Sequence, residues 1–234
     1  MTTVTTGTAD LHALEPDPLE PAPLEVERYV EALQELAATD PDLAAERVWS
    51  QIRLAGLRAG RRREEARDTL NRIFRLGGPP DPPLEGPTRG ILVTPVMPRP
   101  LESSLRGLTS AWMPWLGKRF DASANLGDNL LAASARLPAK VLWPTYRAEP
   151  LGEDRLAAFR FRTYVSPGTL DPDRQTLKID YDSDENPALL IRDILDELVQ
   201  VVPGANLGKV LLRRGEGAPW RLIGYFALRT AGAT

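Results

Sequence analysis

The sequence predicts an α+β protein in which a small N-terminal helical unit precedes an antiparallel β-barrel. Apolar residues recur with helical spacing over residues 24–78 and with a period of two beyond residue 88. A stretch dense in proline and glycine, residues 79–87, separates the two patterns and predicts a linker. The last apolar run, WRLIGYFALR, is typical of a strand that is covered on both faces.

Three helices are predicted within residues 24–78. The first presents one apolar stripe, formed by Val26, Tyr29, Val30, Leu33 and Leu36. Asp40 and Pro41 predict the start of the second helix, because Asp is a good N-cap and Pro fits the first helical position. Gly77 and Gly78 predict the end of the third. Residues 1–23, rich in Thr, Pro and acidic residues, predict a disordered tail.

The clearest strands are residues 158–165 and 176–182, and the turn sequence SPGTLDPD between them predicts an antiparallel hairpin. A short helix is expected over residues 187–196. Further strands are predicted at residues 88–94, 140–147, 207–213 and 220–229. Several short strands at hairpin spacing predict one barrel over residues 88–230.

The composition of the chain argues against several kinds of chemical site. The chain has no cysteine and a single histidine, His12, which falls in the predicted tail. We therefore expect no metal site, no cofactor and none of the usual nucleophile relays. A net charge of -3 favours no nucleic-acid partner, and no apolar run is long enough for a membrane span. The first basic residue is Arg28, so no export signal is expected and the predicted location is cytoplasmic. A homo-oligomer is left open.

Aromatic residues concentrate in the barrel half and are compatible with an apolar ligand cavity, because small barrels can hold one small molecule. The alternative is that the same rings fill a solid core. Lys118 or Arg119 either meets a ligand carboxylate at the barrel mouth, or both are exposed turn charges. The candidate ligand-binding residues are Trp112, Trp115, Lys118, Arg119, Trp143, Phe159, Phe161 and Tyr225.

Three segments carry a resemblance to a known family. They are WLGKRFDASANLGDNLL at 115–131, the run YDSDENPALLIRDILDELVQVVPGANLGKVLL at 181–212, and the closing IGYFALR. They resemble lipocalin-like bacterial and fungal proteins of unknown function that are named for a Gly-x-Trp-x-Gly signature. At the place of that signature this chain reads GPTRGIL, without tryptophan. The resemblance implies a lipocalin-like barrel with an apolar cavity and no known reaction.

Two function hypotheses follow, with a third beside them. The first is a protein that binds a small apolar molecule in the barrel cavity. The alternative is a cofactor-independent isomerase or cyclase of secondary metabolism that uses the same cavity. In that case Tyr146, Tyr181 and Asp182 are the candidate proton donors and acceptors. The third is a structural or interaction protein with a solid barrel.

Overall fold

A computed structural model describes residues 25–95, 115–215 and 217–230 of the chain. The predicted tail with its histidine, and the candidate ligand residue Trp112, lie outside these ranges. In the described part, helices come first and an antiparallel barrel follows. This is the α+β architecture that the sequence predicted.

Three N-terminal helices are present, as expected: α1 (Val26–Leu36), α2 (Pro41–Arg58) and α3 (Arg63–Leu76). The carboxylate of Asp40 accepts a hydrogen bond from the backbone N–H of Leu43 at 3.0 Å. Asp40 is therefore the N-cap of α2, with Pro41 at the first helical position. The start of α2 at Asp40 and the end of α3 before Gly77 thus match the capping pattern.

Among the described residues, nine strands and one more α-helix follow. In chain order they are β1 (Gly86–Pro95), β2 (Trp115–Asp121), β3 (Leu126–Ala132), α4 (Arg136–Leu142), β4 (Glu149–Leu151), β5 (Arg155–Pro167), β6 (Gln175–Asp180), β7 (Ile194–Val202), β8 (Ala205–Leu212) and β9 (Arg221–Thr230). The predicted hairpin is confirmed as β5 and β6, and opposite charges pair across its outer face, with Arg162 3.0 Å from Asp180.

Eight of the strands close into a barrel. Neighbours pair antiparallel in the order β3-β2-β1-β9-β8-β7-β6-β5, and β3 also pairs with β5, which closes the ring. The short β4 pairs with β5 alone. Closure leaves no free edge among the eight strands.

The barrel wall separates two apolar cores. The inner core contains side chains from the barrel strands, including Trp115, Phe159 and Phe161, together with Trp143 after α4. The outer core lies between α1–α3 and the outer faces of β7, β8 and β9. In β9, Phe226 points inward and Tyr225 outward, so this strand is covered on both faces as its composition predicts.

Two predicted elements were wrong. Residues 140–147 were expected to form a strand, but residues 140–142 continue the helix α4, and residues 143–147 form a turn and a loop. Residues 187–196 were expected to form a helix, but they form turns and then enter β7 at Ile194. The pattern misleads here because Asp196 and Glu197 are both buried in β7, each paired with a lysine on a different side of the sheet.

In the part of the chain that the structure describes, no helix is both long and apolar enough to cross a membrane.

Candidate functional site

A bulge in β2 places both Trp115 and Lys118 inside the barrel. Residues three apart lie on opposite faces of a regular strand, but the pairing of β2 with β3 shifts between Trp115 and Gly117. Gly117 has φ 143°, and a Cβ there would collide with the carbonyl oxygen of Thr88. The Thr88 hydroxyl donates to the carbonyl of Lys118 at 2.8 Å and accepts from its N–H at 3.2 Å. Backbone geometry thus turns the lysine inward.

The ammonium group of Lys118 lies in a cluster of polar side chains inside the barrel, which we name the interior cluster: Lys118, Asn129, Tyr181 and Asp196. Lys118 Nζ lies 2.9 Å from Asp196 Oδ2 and 3.0 Å from Asn129 Oδ1, and it also donates to Tyr181 Oη. All four side chains are at most 1% exposed. The three donor positions of the ammonium group are therefore filled without solvent.

The remaining hydrogen bonds of the interior cluster leave one carboxylate oxygen without a partner among the described residues. Tyr181 Oη donates to Asp196 Oδ2 at 3.0 Å and accepts from Asn129 Nδ2 at 3.1 Å. Trp115 Nε1 donates to Asn129 Oδ1 at 3.0 Å. Asp196 Oδ1 is buried and has no hydrogen-bond partner among the described residues. Every donor of the interior cluster is used, and one carboxylate oxygen is an unused acceptor.

Four aromatic rings surround the ammonium group. Their centroids lie 5.0 to 5.7 Å from Lys118 Nζ, a distance at which the ring faces attract a cation. The rings belong to Trp115, Phe161, Tyr181 and Phe226.

Glycines on neighbouring strands make room for three of these rings. A Cβ at Gly90 would lie 2.5 Å from the Trp115 ring. A Cβ at Gly127 would collide with Phe161, and one at Gly208 would collide with Phe226. Small and large residues therefore alternate around the inside of the barrel and seat the rings around the lysine.

Burial opposes charge in the interior cluster. Desolvation lowers the pKa of Lys118, against the attraction of the Asp196 carboxylate. Desolvation also raises the pKa of Asp196, against the attraction of Lys118, and raises the pKa of Tyr181 well above its ordinary value. These shifts bring the neutral amine–carboxyl pair closer in free energy to the ion pair, and they keep the tyrosine protonated.

The interior cluster lies toward one end of the barrel, which we name the α4 end. The strands β3 and β8 finish there, and β5, β7 and β9 start there. The longer connections, among them the segment with α4 and residues 181–193, also meet at this end. Ligand sites of small barrels lie at such mouths, where the loops are long enough to vary.

The structure brings several sequence-predicted site residues together. Trp115, Lys118, Phe161 and Tyr181 form or surround the interior cluster. At the α4 end, Tyr146 stacks on Phe159 with ring centroids 5.1 Å apart, and Trp143 contacts the same ring edge-on at 5.2 Å. The hydroxyl of Tyr146 accepts a hydrogen bond from the Phe159 N–H at 2.5 Å.

Three other predicted residues lie away from the interior. Arg119 points to the outer side of β2 and pairs with Asp128 at 2.7 Å. Tyr225 packs in the outer core, where its hydroxyl donates to Asn71 of α3 at 2.7 Å. Asp182 is exposed, and its N–H donates to Asp180. Strand alternation explains Arg119 and Tyr225, because each is a sequence neighbour of an inward-facing residue, whereas Asp182 lies beyond the end of β6.

Two residues of the interior cluster, Asn129 and Asp196, were not chosen as candidates from the sequence. The signal that could have found them was the rarity of lysine. The chain has 29 basic residues, of which only four are lysines: Lys118, Lys140, Lys178 and Lys209. Three of these four are buried in barrel strands, so a rare lysine in an apolar strand indicates a buried acidic partner, although the pairing of the strands is needed to identify it as Asp196.

A second buried ion-pair group lies on the outer face of the barrel. Lys178 pairs with Glu197 and donates to the hydroxyl of Thr169 at 3.0 Å. Lys209 lies 2.5 Å from Asp171, which also pairs with Arg75 of α3 at 2.8 Å. These pairs join the loop after β5 and helix α3 to the barrel wall.

A groove of about 500 Å³ lies between the three N-terminal helices. Its walls are apolar, with Tyr29, Val48 and Ile73 among them, and arginines and acidic residues line its rim. It has no direct connection to the interior cluster, because its lining residues all belong to the helical part of the chain.

No family model matches this chain, and neither does any curated protein. Among solved structures, a protein from Thermomonospora curvata is 16% identical, with a TM-score of 0.40, over 76% of this chain and 98% of that chain. A structural likeness this weak indicates no function for this chain.

Proposed function

We propose that this protein binds a small, mostly apolar molecule inside the barrel, with the interior cluster holding the polar group of that molecule. The observation that carries the proposal is Asp196 Oδ1, a fully buried carboxylate oxygen without a hydrogen-bond partner among the described residues. Leaving such an acceptor unsatisfied costs about 1–3 kcal/mol or more. A ligand that donates a hydrogen bond to this oxygen removes the cost.

The energetics of the cluster support a role other than stability. Moving two charges from water into a barrel interior costs several kcal/mol for each ion, and an apolar pair of similar volume is often as stable or more so. Aromatic and aliphatic side chains already line the interior around Lys118 and Asp196. A barrel selected for stability alone would extend that lining, so the polar groups favour ligand recognition.

The same geometry indicates the class of ligand. Every donor in the interior cluster is already used, so the ligand supplies an O–H or N–H group. The charges of Lys118 and Asp196 balance, which favours an uncharged ligand. Aromatic rings surround the cluster, so the rest of the molecule is apolar. An apolar alcohol or phenol meets all three conditions.

The resemblance noted in the sequence extends this proposal. Lys118 and Asn129 lie in the first resembling segment, residues 115–131, and Tyr181 and Asp196 lie in the second, residues 181–212. We therefore propose that the chain shares an interior ligand site with the lipocalin-like proteins of the Gly-x-Trp-x-Gly type.

A cofactor-independent isomerase or cyclase is the second candidate, and one contact favours it. Tyr181 Oη donates to Asp196 at 3.0 Å inside the barrel, and burial raises the pKa of both groups. A protonated tyrosine and a carboxylate of raised pKa are a suitable donor and acceptor for moving a proton on a bound substrate. In this alternative Asp196 joins the predicted Tyr181 as the acid–base pair.

Titration with 1-octanol, followed by tryptophan fluorescence, tests the binding proposal. We expect saturable binding to the intact chain. Asp196→Asn should weaken it at least about tenfold, because a hydrogen bond to a charged group contributes about 1.5–3 kcal/mol. Glu197→Gln is the matched control, since this neighbouring carboxylate points to the outer face and pairs with Lys178.

The Glu197→Gln protein should bind octanol as the unchanged protein does, with circular dichroism confirming that both variants are folded. Octanol binding that is absent from the unchanged protein, or equal in the Asp196→Asn protein, would contradict the proposal.

A further inference from the structure

Lysine is rare in this chain, and most of its lysines are buried. Of the four lysines, only Lys140 is exposed, while Lys118, Lys178 and Lys209 are 1%, 3% and 2% exposed. Lys178 and Lys209 lie on the outer face, where each forms an ion pair beneath the loop after β5. Lys118 is the one lysine among the described residues whose amine lies inside the barrel.

We propose that Lys118 forms an imine with an apolar aldehyde bound in the barrel. This inference rests on the proposed interior site and assigns a reaction to it. An aldehyde has no O–H or N–H group, so it accepts a hydrogen bond from the Asp196 carboxyl group once that group has taken the proton of Lys118. The geometry that carries it is a primary amine held among four aromatic rings, 2.9 Å from a carboxyl group that has one unused oxygen.

The first step forms a carbon–nitrogen bond. Transfer of a proton from the Lys118 ammonium to Asp196 gives a neutral amine and a neutral carboxyl group. The amine lone pair then attacks the carbonyl carbon, and the carbonyl oxygen takes the proton of the Asp196 carboxyl group. A second proton passes from nitrogen back to the Asp196 carboxylate, which leaves a neutral carbinolamine and a neutral carboxyl group.

The second step loses water. The carbinolamine hydroxyl takes a proton from Asp196 and leaves as water while the carbon–nitrogen double bond forms, and the nitrogen proton returns to the carboxylate. The sum is one aldehyde plus one amine giving one imine plus one water, with no change of oxidation state. No oxidant, reductant or cofactor is needed.

Three physical features favour this reaction at Lys118. Desolvation lowers the pKa of the amine, so more of it is in the nucleophilic neutral form near neutral pH. The titratable groups that face its Nζ are Asp196 from β7 and Tyr181 after β6, and both can pass protons to or from the reacting oxygen. An enclosed, apolar setting also slows hydrolysis of the imine.

Reductive trapping tests the proposal. The intact chain is incubated at neutral pH with octanal and sodium cyanoborohydride, and adducts are located by peptide mass spectrometry. We expect one adduct per chain, with the mass of octanal less its oxygen atom, on Lys118. Lys118→Arg and Lys118→Met should lose that adduct, and Lys140→Arg should keep it.

The other lysines supply internal controls. Labelling should favour Lys118 over Lys140 most strongly near neutral pH. The preference should fall as the pH rises toward about 10.4, where a solvated lysine also loses its proton. An adduct confined to Lys140 or the N-terminal amine, or labelling of Lys178 and Lys209 as strong as that of Lys118, would overturn the proposal.

Octanol separates the failure of this inference from the failure of the binding proposal, because an alcohol cannot form an imine. Saturable octanol binding without octanal trapping at Lys118 would overturn the imine alone. Absence of both would overturn the interior site as well.

Discussion

Lys118 and Asp196 form an ion pair inside the barrel. Its two members are buried, 2.9 Å apart and surrounded by aromatic rings. Each member compensates the charge of the other, so the loss of one leaves an uncompensated buried charge, whereas the loss of both leaves no buried charge in the interior cluster. If the pair is retained for function, removing one member should lower the free energy of unfolding more than removing both members does.

Urea unfolding of a double-mutant cycle checks this at the residue scale. Lys118→Met and Asp196→Leu should each lower the free energy of unfolding by about 3–5 kcal/mol. The Lys118→Met/Asp196→Leu protein should lose less than either single variant, and it should no longer bind octanol. Losses that simply add would show that the two residues are not coupled, which would contradict a retained buried pair.

Neighbouring strands of the barrel place a glycine against an aromatic ring. Gly127 faces Phe161 and Gly208 faces Phe226, and in both cases a Cβ would collide with the ring. Gly127 and Gly208 therefore determine where the rings of Phe161 and Phe226 lie, although glycine has no side chain that could contact the interior cluster. The shape of the site is thus a property of whole strands.

Gly208→Ala tests the pairing at the element scale. We expect a loss of about 1–3 kcal/mol in the free energy of unfolding, because the new methyl group forces Phe226 out of its position. Gly60→Ala is the matched control, since a Cβ there meets nothing within 4 Å. It should change stability by less than about 0.5 kcal/mol. Equal effects of the two substitutions in thermal melts would show that Gly208 does not seat the ring.

Sequence patterns predicted elements well where one face is polar or a cap is strong. The helix start at Asp40 and the β5–β6 hairpin are examples. They failed for β7, whose two sides are both buried, so no alternation marks it as a strand. Lys118 was predicted only as a charge at a mouth, because the bulge at Gly117 that turns it inward depends on pairing with β3. Asn129 and Asp196 come together in one site only because the strands close into a ring, and the sequence alone does not show this closure.

The whole molecule has one barrel wall with a core on each side. Helices α1–α3 cover the outer faces of β7–β9, and the outer ion pairs join α3 to the loop after β5. Residues on the outer face of β9, such as Tyr225, contact the helices, while their neighbours line the interior. The helices therefore support the strands that carry Asp196 and Phe226, and the two parts should unfold together.

Thermal unfolding of Leu70→Ala tests this coupling. Leu70 of α3 is fully buried in the outer core, so the substitution should cost about 2–5 kcal/mol. The helical circular dichroism signal and the tryptophan fluorescence should shift together. Leu57→Ala, the same change at a residue that is 76% exposed, should leave both near their original midpoints. Separate transitions for the two signals would contradict a shared structure.

A crystal structure of the intact chain with bound 1-octanol tests the interior site most directly. We expect density for the alkyl chain among the rings of Trp115, Phe161 and Phe226, with the hydroxyl oxygen within hydrogen-bond distance of Asp196 Oδ1. Octanol seated in the groove between α1, α2 and α3, with the barrel interior unchanged, would contradict the claim that the interior cluster is the binding site.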